Sequence, residues 1–595
     1  MKRIVSSMMM VLLLAGAASA ATYVWTGSVS TNFSDAANWL VDGEVPATPP
    51  ANSDTTDVAV LPSIVTANQP VLTASHDVRG LMIEGAGWTF KTGAFNFRVG
   101  PNNIGVTTTY ASGTSTIEGN LHVGTADTAR TCWSVAAGGT LRIDGTIARY
   151  GSGGGATRKD GDGILELNTG TTSVNGLIIN GGTVRAVNSS GGLNYTPLTL
   201  TKGTYDLNGN SVNVVSLNGT TQSRVVNNGA SEVLLTSRFQ GNQTLGTYLS
   251  GNFRVSYTQN GSRYTVNLAN PTNDYTGSTT LADNFILVLQ ADSPLGAPGC
   301  LGLSTTPVSM GDQSGNGGGS YSSITAVLTD GPYVVGQSFN IGTHGPRKQL
   351  GASSSQAGTS TFSGNVRVGL GSAYNAENPH LYIVSGTNAW VNFTGNIVNA
   401  TIATGKQRIR SGRVVMYGPG GARLSGENTY SGGTIVSNGI LVATSPTALG
   451  TGGATVAGGI LAGTATVAGA VTVKSGGSLS AGDADATGTL TLTGGLTMDA
   501  GSRLFVELSD AAADCIVLDG GALALADTVT VDVEAIATPE PVNRRILDWG
   551  AAASATASLE DFVMGAGADA YTLRVFDNAL WVRPIGAAPT LLIVK

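Results

Sequence analysis

The sequence predicts an all-β protein built as a parallel β-solenoid, and three observations predict it. Between Gly420 and Leu508, short runs of Thr, Val, Ile and Leu alternate with Gly-Gly, Asn-Gly and Ser-Gly turns. That is a hydrophobic period of two, with turns recurring too often for helices. Whole units also recur: Asn273-Asp274-Tyr275-Thr276-Gly277-Ser278-Thr279 matches Asn428-Thr429-Tyr430-Ser431-Gly432-Gly433-Thr434, and each runs on to a Leu-Gly, at Leu295-Gly296 and Leu449-Gly450. Repetition of whole units implies repetition of structure, here in coils of roughly 20 residues. Finally, the 84 glycines, 41% hydrophobic and 12% charged residues suit many turns joining short apolar strands. A length of 595 residues forces no domain count, because each coil packs only on its neighbours.

Taken in order, the chain opens with a processing signal. Lys2 and Arg3 precede an apolar run from Met8 to Leu14, and Ala18-Ser19-Ala20 supplies the small-residue cleavage pattern, so residues 1–20 read as a signal peptide cleaved after Ala20. The expected location is therefore exported, either secreted or held at the cell surface in association with the outer membrane. No later stretch offers the ~20 unbroken apolar residues a transmembrane helix needs. Residues 21–62 carry Trp25, Phe33 and Trp39, then Pro46, Pro49 and Pro50. A solenoid must cover its first strand edge, so this segment reads as an aromatic N-terminal cap. Exposed stacking of the same aromatics on sugar rings is the competing reading.

Residues 63–509 read as the solenoid, with its repeats clearest at about 161–219, 265–299 and 420–508. Residues 80–100 (GLMIEGAGWTFKTGAFNFRVG) already show the strand-turn alternation, and parallel stacking of equivalent short runs explains it better than hairpins do. A second motif pair, Phe362-Ser-Gly-Asn-Val366 and Phe393-Thr-Gly-Asn-Ile397, lies inside this region. Two segments read as loops. Residues 151–163 (GSGGGATRKDGDG) are rich in glycine, and residues 331–351 concentrate His344, Arg347 and Lys348 in otherwise uncharged sequence. Residues 510–595 read as a small β-rich C-terminal cap, with Trp549 and Trp581 expected in its core and SLEDFVMGAG as one helical turn.

The segments 420–443 (GGARLSGENTYSGGTIVSNGILVA), the following Ala448-Leu449-Gly450, and the stretch GTLTLTGGLTMDAGS resemble the autotransporter-associated β-strand repeat proteins. Trp25-Thr26-Gly27 with Ala37-Asn38-Trp39 resembles the opening of exported members of planctomycete and verrucomicrobial type. The resemblance implies a right-handed parallel β-helix that is secreted or displayed at the cell surface. It carries no catalytic residues to this chain. Asn273, Tyr275, Asn428 and Tyr430 match signature positions and read as structural, with Asn side chains bonding along the stack and Gly432 permitting a sharp corner. The chain departs from true autotransporters in lacking, after residue 510, enough sequence for a translocator barrel.

Chemistry is sparse. The three cysteines, Cys132, Cys300 and Cys515, are far apart and outside any Cys-x-x-Cys pair, which fits buried apolar thiols better than zinc or redox sites. The four histidines, His76, His122, His344 and His380, lack metal spacing. The nearest approaches to paired carboxylates are Asp160 with Asp162, Asp483 with Asp485 and Asp510 with Asp514, all in Gly- or Ala-rich turns where solvated aspartate is ordinary. The segment Asp160-Gly-Asp-Gly163 lacks the remaining ligands of a calcium loop. No catalytic, cofactor-binding or metal-binding residue is therefore assigned, and no cofactor is expected. A net charge of -7 without a basic cluster argues against nucleic acid. The expected function is a non-catalytic exported β-solenoid with a surface-structural, adhesive or glycan-contact role, and its expected partners are cell-surface or extracellular glycans or other surface proteins. The alternative is a carbohydrate-active β-helix enzyme, a polysaccharide lyase or hydrolase.

Overall fold

A computed structural model describes residues 20–585, apart from 54, 101–104, 124–131, 150–155, 189–192, 194–195, 312–323, 343–346, 354–356, 373–379, 402–406, 410 and 484–485. Of residues 1–20, expected from sequence to be a signal peptide, only Ala20 falls among the described residues. The chain divides into two units, residues 1–213 and 214–595. Each is a parallel β-solenoid.

In the first unit two ladders alternate along the chain. One stacks Thr22–Trp25, Val58–Leu61, Gly80–Ile83, Gly105–Thr108, Cys132–Val135 and Thr157–Asp160 in parallel. The other stacks His76–Val78, Thr89–Val99, Gly113–Val123, Gly139–Arg149 and Ile164–Ser173. Equivalent residues one coil apart, Gly80 and Gly105 or Thr157 and Leu177, lie 25 and 20 positions apart in sequence. The long strands bend where Gly93, Gly119 and Gly145 come into register. Gly119 takes a φ of 111°, and a Cβ on Gly145 would lie 2.0 Å from the Gly119 carbonyl oxygen, so the bend requires residues without side chains. Where this ladder continues through Thr183–Ala186 and Gly203–Asp206, Arg185 bonds both Glu166 and Asp206 on the coils either side, an ion ladder that pins the register.

The aromatic segment is a cap, as expected. Trp25, Phe33 and Trp39 are all fully buried. Trp39 meets Trp25 and Phe33 edge-on, with centroids 5.0 and 4.8 Å away, and Phe33 packs on Phe90 and Phe97 of the coil wall. Both indole N–H groups donate to backbone carbonyls, of Asn68 and Phe33. With no ring face in solvent, these residues cannot serve as a sugar-stacking platform. Thr22–Trp25 is closed on one side by Trp39–Leu40 in antiparallel pairing, which covers the edge a first coil would otherwise expose.

In the second unit each coil has three sides. A first-face ladder runs through Ile324–Thr329, Arg347–Ala352, His380–Val384, Arg413–Tyr417, Thr434–Val436, Ala454–Val456, Val471–Val473 and Leu496–Met498. A second-face ladder runs through Gly358–Phe362, Ala389–Phe393, Gly421–Leu424, Ile440–Ala443, Gly459–Gly463, Gly477–Leu479, Arg503–Leu508 and Val529–Ala535. The third side carries short strands or hydrogen-bonded turns. From Val414 through Thr434 and Ala454 to Val471 the coil lengths are 20, 20 and 17 residues, close to the sequence expectation.

The repeated Asn and Tyr residues hold this third side. Asn273 accepts from the Leu249 amide at 2.9 Å and donates to the Cys300 carbonyl at 3.1 Å; Asn428 accepts from Ile397 at 2.7 Å and donates to Ala448 at 2.5 Å. Each asparagine thus clamps the coil below to the coil above through backbone groups rather than through another asparagine. Tyr275 and Tyr430 are fully buried, and each shares a 2.6 Å hydrogen bond with the threonine four residues on. Gly432 serves a different purpose from the one expected. A Cβ there would lie 2.3 Å from the Gly412 carbonyl, so it permits close approach of coils, while Gly433, at φ 82°, makes the corner. In the second motif pair, Phe362 and Phe393 stack at 5.2 Å and Asn365 accepts from the Asn396 amide at 2.9 Å.

The C-terminal end is closed by antiparallel pairing, Arg544–Asp548 with Ala579–Pro584 and the latter with Tyr571–Phe576. A single helical turn, Leu559–Asp561, interrupts it. Trp549 is buried against Phe562, but Trp581 is not in the core: it stands outward, stacked on Phe576 at 4.7 Å with the Arg545 guanidinium over its ring. Strand alternation decides this, since Leu580 and Val582 take the two inward positions.

Candidate functional site

On the second face of unit two, parallel register brings outward side chains into rows. Trp390, Gly421, Ile440 and Ile460 form one row; Asn392, Arg423, Val442 and Ala462 form the next. A Cβ on Gly421 would lie 2.5 Å from the Trp390 ring, so only glycine lets the indole lie over that strand. The Arg423 guanidinium sits 4.0 Å from the centre of the same ring and forms a two-pronged pair with Asp483, at 2.9 Å from Nε to Oδ2 and 2.9 Å from Nη2 to Oδ1. Beyond Arg423, Ile440, Val442, Ile460, Ala462 and Phe505 line a recess of about 180 Å³ that is completed by Ser480, Asp483 and Glu507.

Two hairpin turns wall the recess. Gly482 pairs antiparallel with Gly463, Asp483 with Ala486, and Leu508 with Ala513. Asp514 ties these turns together. Its carboxyl accepts from the Gly488 amide at 2.9 Å, the Glu507 amide at 3.1 Å and the Ser480 hydroxyl at 3.2 Å. Asp514 is 2% exposed, and burial pushes its carboxyl up to about 7, with the nearby Glu507 charge adding to the rise and the amide donors opposing it. Past the recess, Arg503 holds Asp532 through two bonds, which keep that carboxyl below the usual aspartate range.

Among the described residues, neither Asp160 with Asp162 nor Asp510 with Asp514 forms a converging pair. Asp485 lies outside the described residues, and Asp483 is committed to Arg423. Asp510 is exposed while Asp514 turns inward. Asp160 is held by Arg158 at 2.7 Å, Asn180 at 2.9 Å and the Cys132 thiol at 3.0 Å, whereas Asp162 is exposed. What the fold assembles instead is Asp483, Glu507 and Asp514 around Ser480. Glu507 and Arg423 were missed because nothing local marks them; their outward positions in RLFVEL and GARL were the available signal.

The two segments read as loops resolve differently. In residues 156–163, Lys159 is fully buried, donating to the carbonyls of Asp160, Gly161 and Gly181, and burial lowers its ammonium to about 8. Residues 331–351 are not a loop but contain the strands Val334–Val335, Phe339–Ile341 and the start of Arg347–Ala352. Strand alternation sends Lys348 inward, fully buried, to Asp283 and Thr325, and leaves Arg347 outward; His344 lies outside the described residues. Cys132 and Cys300 are buried, Cys515 is half-buried, and all three thiols are free. Among the described residues no group of three or more His, Cys, Asp or Glu could hold a metal ion, and no helix is long and apolar enough to cross a membrane. No protein-family model matches the chain, and no curated protein matches it.

Proposed function

We propose that the protein is an exported β-solenoid of the autotransporter-associated repeat kind, secreted or surface-held, whose second-face recess contacts extracellular glycans without catalysis. The observation that carries this reading is the recess itself. Its floor of Ile440, Ile460 and Phe505 offers the apolar surface that a pyranose C–H face requires. Its rim of Glu507, Ser480 and the Arg423–Asp483 pair offers acceptors and donors for ring hydroxyls. At about 180 Å³ it suits a single ring rather than a drug-sized ligand. The leading segment with its Ala18-Ser19-Ala20 pattern supports export.

The raised carboxyl of Asp514 beside Glu507 gives the carbohydrate-active enzyme reading its one specific support, since a carboxyl that keeps its proton near neutral pH is what a general acid requires. Against it, Asp514 is buried behind Ser480 and spends its oxygens on three protein donors. The test is calorimetric titration with a panel of neutral oligosaccharides, using wild type and Phe505→Ala, with product analysis after incubation with neutral and acidic ones. Binding that is weakened by Phe505→Ala, with the oligosaccharide recovered intact, is expected. Absence of binding across the panel overturns the glycan reading, and new reducing ends or unsaturated products would replace it with the enzyme.

A further inference from the structure

A second surface, on the first face of the same unit, carries different chemistry. Register places Arg347, His380 and Arg413 in one row and Gln349, Tyr382 and Val415 in the next, with Val384 and Tyr417 in a third. The intervening residues Lys348, Leu381, Ile383, Val414 and Met416 point inward and are buried. The Arg347 guanidinium stands 5.8 Å from the centres of both the Tyr382 and Tyr417 rings, which meet edge-on at 6.3 Å, and His380 meets Tyr382 at 6.2 Å. Tyr417 is 46% exposed.

Among the described residues, the charges here are unbalanced. Elsewhere in the protein Arg142, Arg158, Arg185, Arg423 and Arg503 each hold a carboxylate. Among the described residues Arg347 and Arg413 hold none: Arg347 has only its two rings, and Arg413 donates to the Gly432 carbonyl. His380 adds no charge at neutral pH, because burial and Arg413 lower its pKa. The carboxylate of Asp330 lies past the strand ends, bonded to Gln290 and Ser353. Two arginines two strand spacings apart, roughly 10 Å, therefore flank an aromatic platform on a chain whose net charge is -7.

We infer that this surface is a binding site for an anionic polysaccharide, a polyuronate chain whose carboxylates pair with Arg347 and Arg413 while its rings stack on Tyr382 and Tyr417. Cation–π contact with both rings holds the Arg347 fork in place before the ligand arrives, so little rotamer freedom is lost on pairing. The site goes beyond the recess of the second face, which lacks unpaired arginine and offers carboxylates instead. Its specificity is opposite: charge is required here.

The test is titration of the full mature chain with three probes, oligogalacturonate, its methyl ester and poly-glutamate. Variants Arg347→Gln, Tyr417→Ala and Phe505→Ala are compared, each checked for native circular dichroism. Oligogalacturonate is expected to bind and to weaken as salt shortens the screening length, with the methyl ester and poly-glutamate at least tenfold weaker. Arg347→Gln and Tyr417→Ala should each lose about tenfold or more, as anchor residues do, and Phe505→Ala should lose nothing. Equal binding of the methyl ester or of poly-glutamate overturns the proposal, as does oligogalacturonate affinity indifferent to both Arg347→Gln and Tyr417→Ala. Failure of the recess reading is a separate result, since it is read from the effect of Phe505→Ala on neutral oligosaccharides.

Discussion

Asp514 makes the stability of the second unit depend on pH in an unusual direction. Its carboxyl is raised to about 7 in the folded protein, from 3.8 for an unburied aspartate. Between those values the folded chain keeps a proton that the unfolded chain has released, so this group's contribution falls as pH rises through that interval. Above it both states are ionised and the folded state bears the full cost of a buried charge beside Glu507. A shift of about 3 pH units at about 1.4 kcal/mol each corresponds to roughly 4 kcal/mol. Three histidines, His76, His122 and His380, act in the opposite sense, because their lowered pKa values cost stability as pH falls below that of an unfolded histidine. The informative quantity is therefore the difference between wild type and Asp514→Asn, in which the histidine contributions cancel. Urea unfolding of both proteins near pH 5 and near pH 8 measures it. The advantage of wild type over the variant should shrink by about 2.7 kcal/mol on going to the higher pH, since only the two units between pH 5 and the raised pKa fall inside this window. A difference that stays constant across the interval would refute the reasoning, because it would mean that Asp514 titrates in the folded protein as it does in the unfolded chain.

Other expectations follow from buried groups elsewhere. Asn428→Ala leaves the Ile397 amide and the Ala448 carbonyl without their clamp and should cost about 2–4 kcal/mol in urea unfolding, with Tyr430→Phe costing about 1 kcal/mol through the lost bond to Thr434. Lys348→Met strands Asp283 beside an apolar side chain and should cost about 3–5 kcal/mol, and adding Asp283→Leu should recover most of it. Burial raises the thiols of Cys132, Cys300 and Cys515 to about 11, so maleimide labelling near neutral pH should be slow in the folded protein and fast for all three in denaturant.

How much of this was legible beforehand depends on the range of the interaction. The aromatic cap was readable because Trp25, Phe33 and Trp39 lie close in sequence and their burial on the first coil follows from the need to cover its edge. The repeated Asn and Tyr were readable as structural because each acts within its own coil or on the coils immediately beside it. Trp581 was misjudged because its neighbours Leu580 and Val582 took the inward positions, a one-residue matter of register. Residues 331–351 looked like a loop because their glycines and cations hid three short strands, one of which points Lys348 inside.

By itself the sequence determined the all-β class, the parallel coils and their caps, because a hydrophobic period of two, frequent turns and recurring units express local geometry that every coil repeats. Only the tertiary structure decided where charges and rings meet. Arg423 and Asp483 are 60 residues apart in the chain and become partners because intervening coils stack between them. Arg347, Tyr382 and Tyr417 share a surface because successive coils there are 33 residues long and in register. In a solenoid the coil length converts sequence distance into a few ångströms of height, and no local pattern in the sequence reports the phase at which two distant side chains come to face the same side.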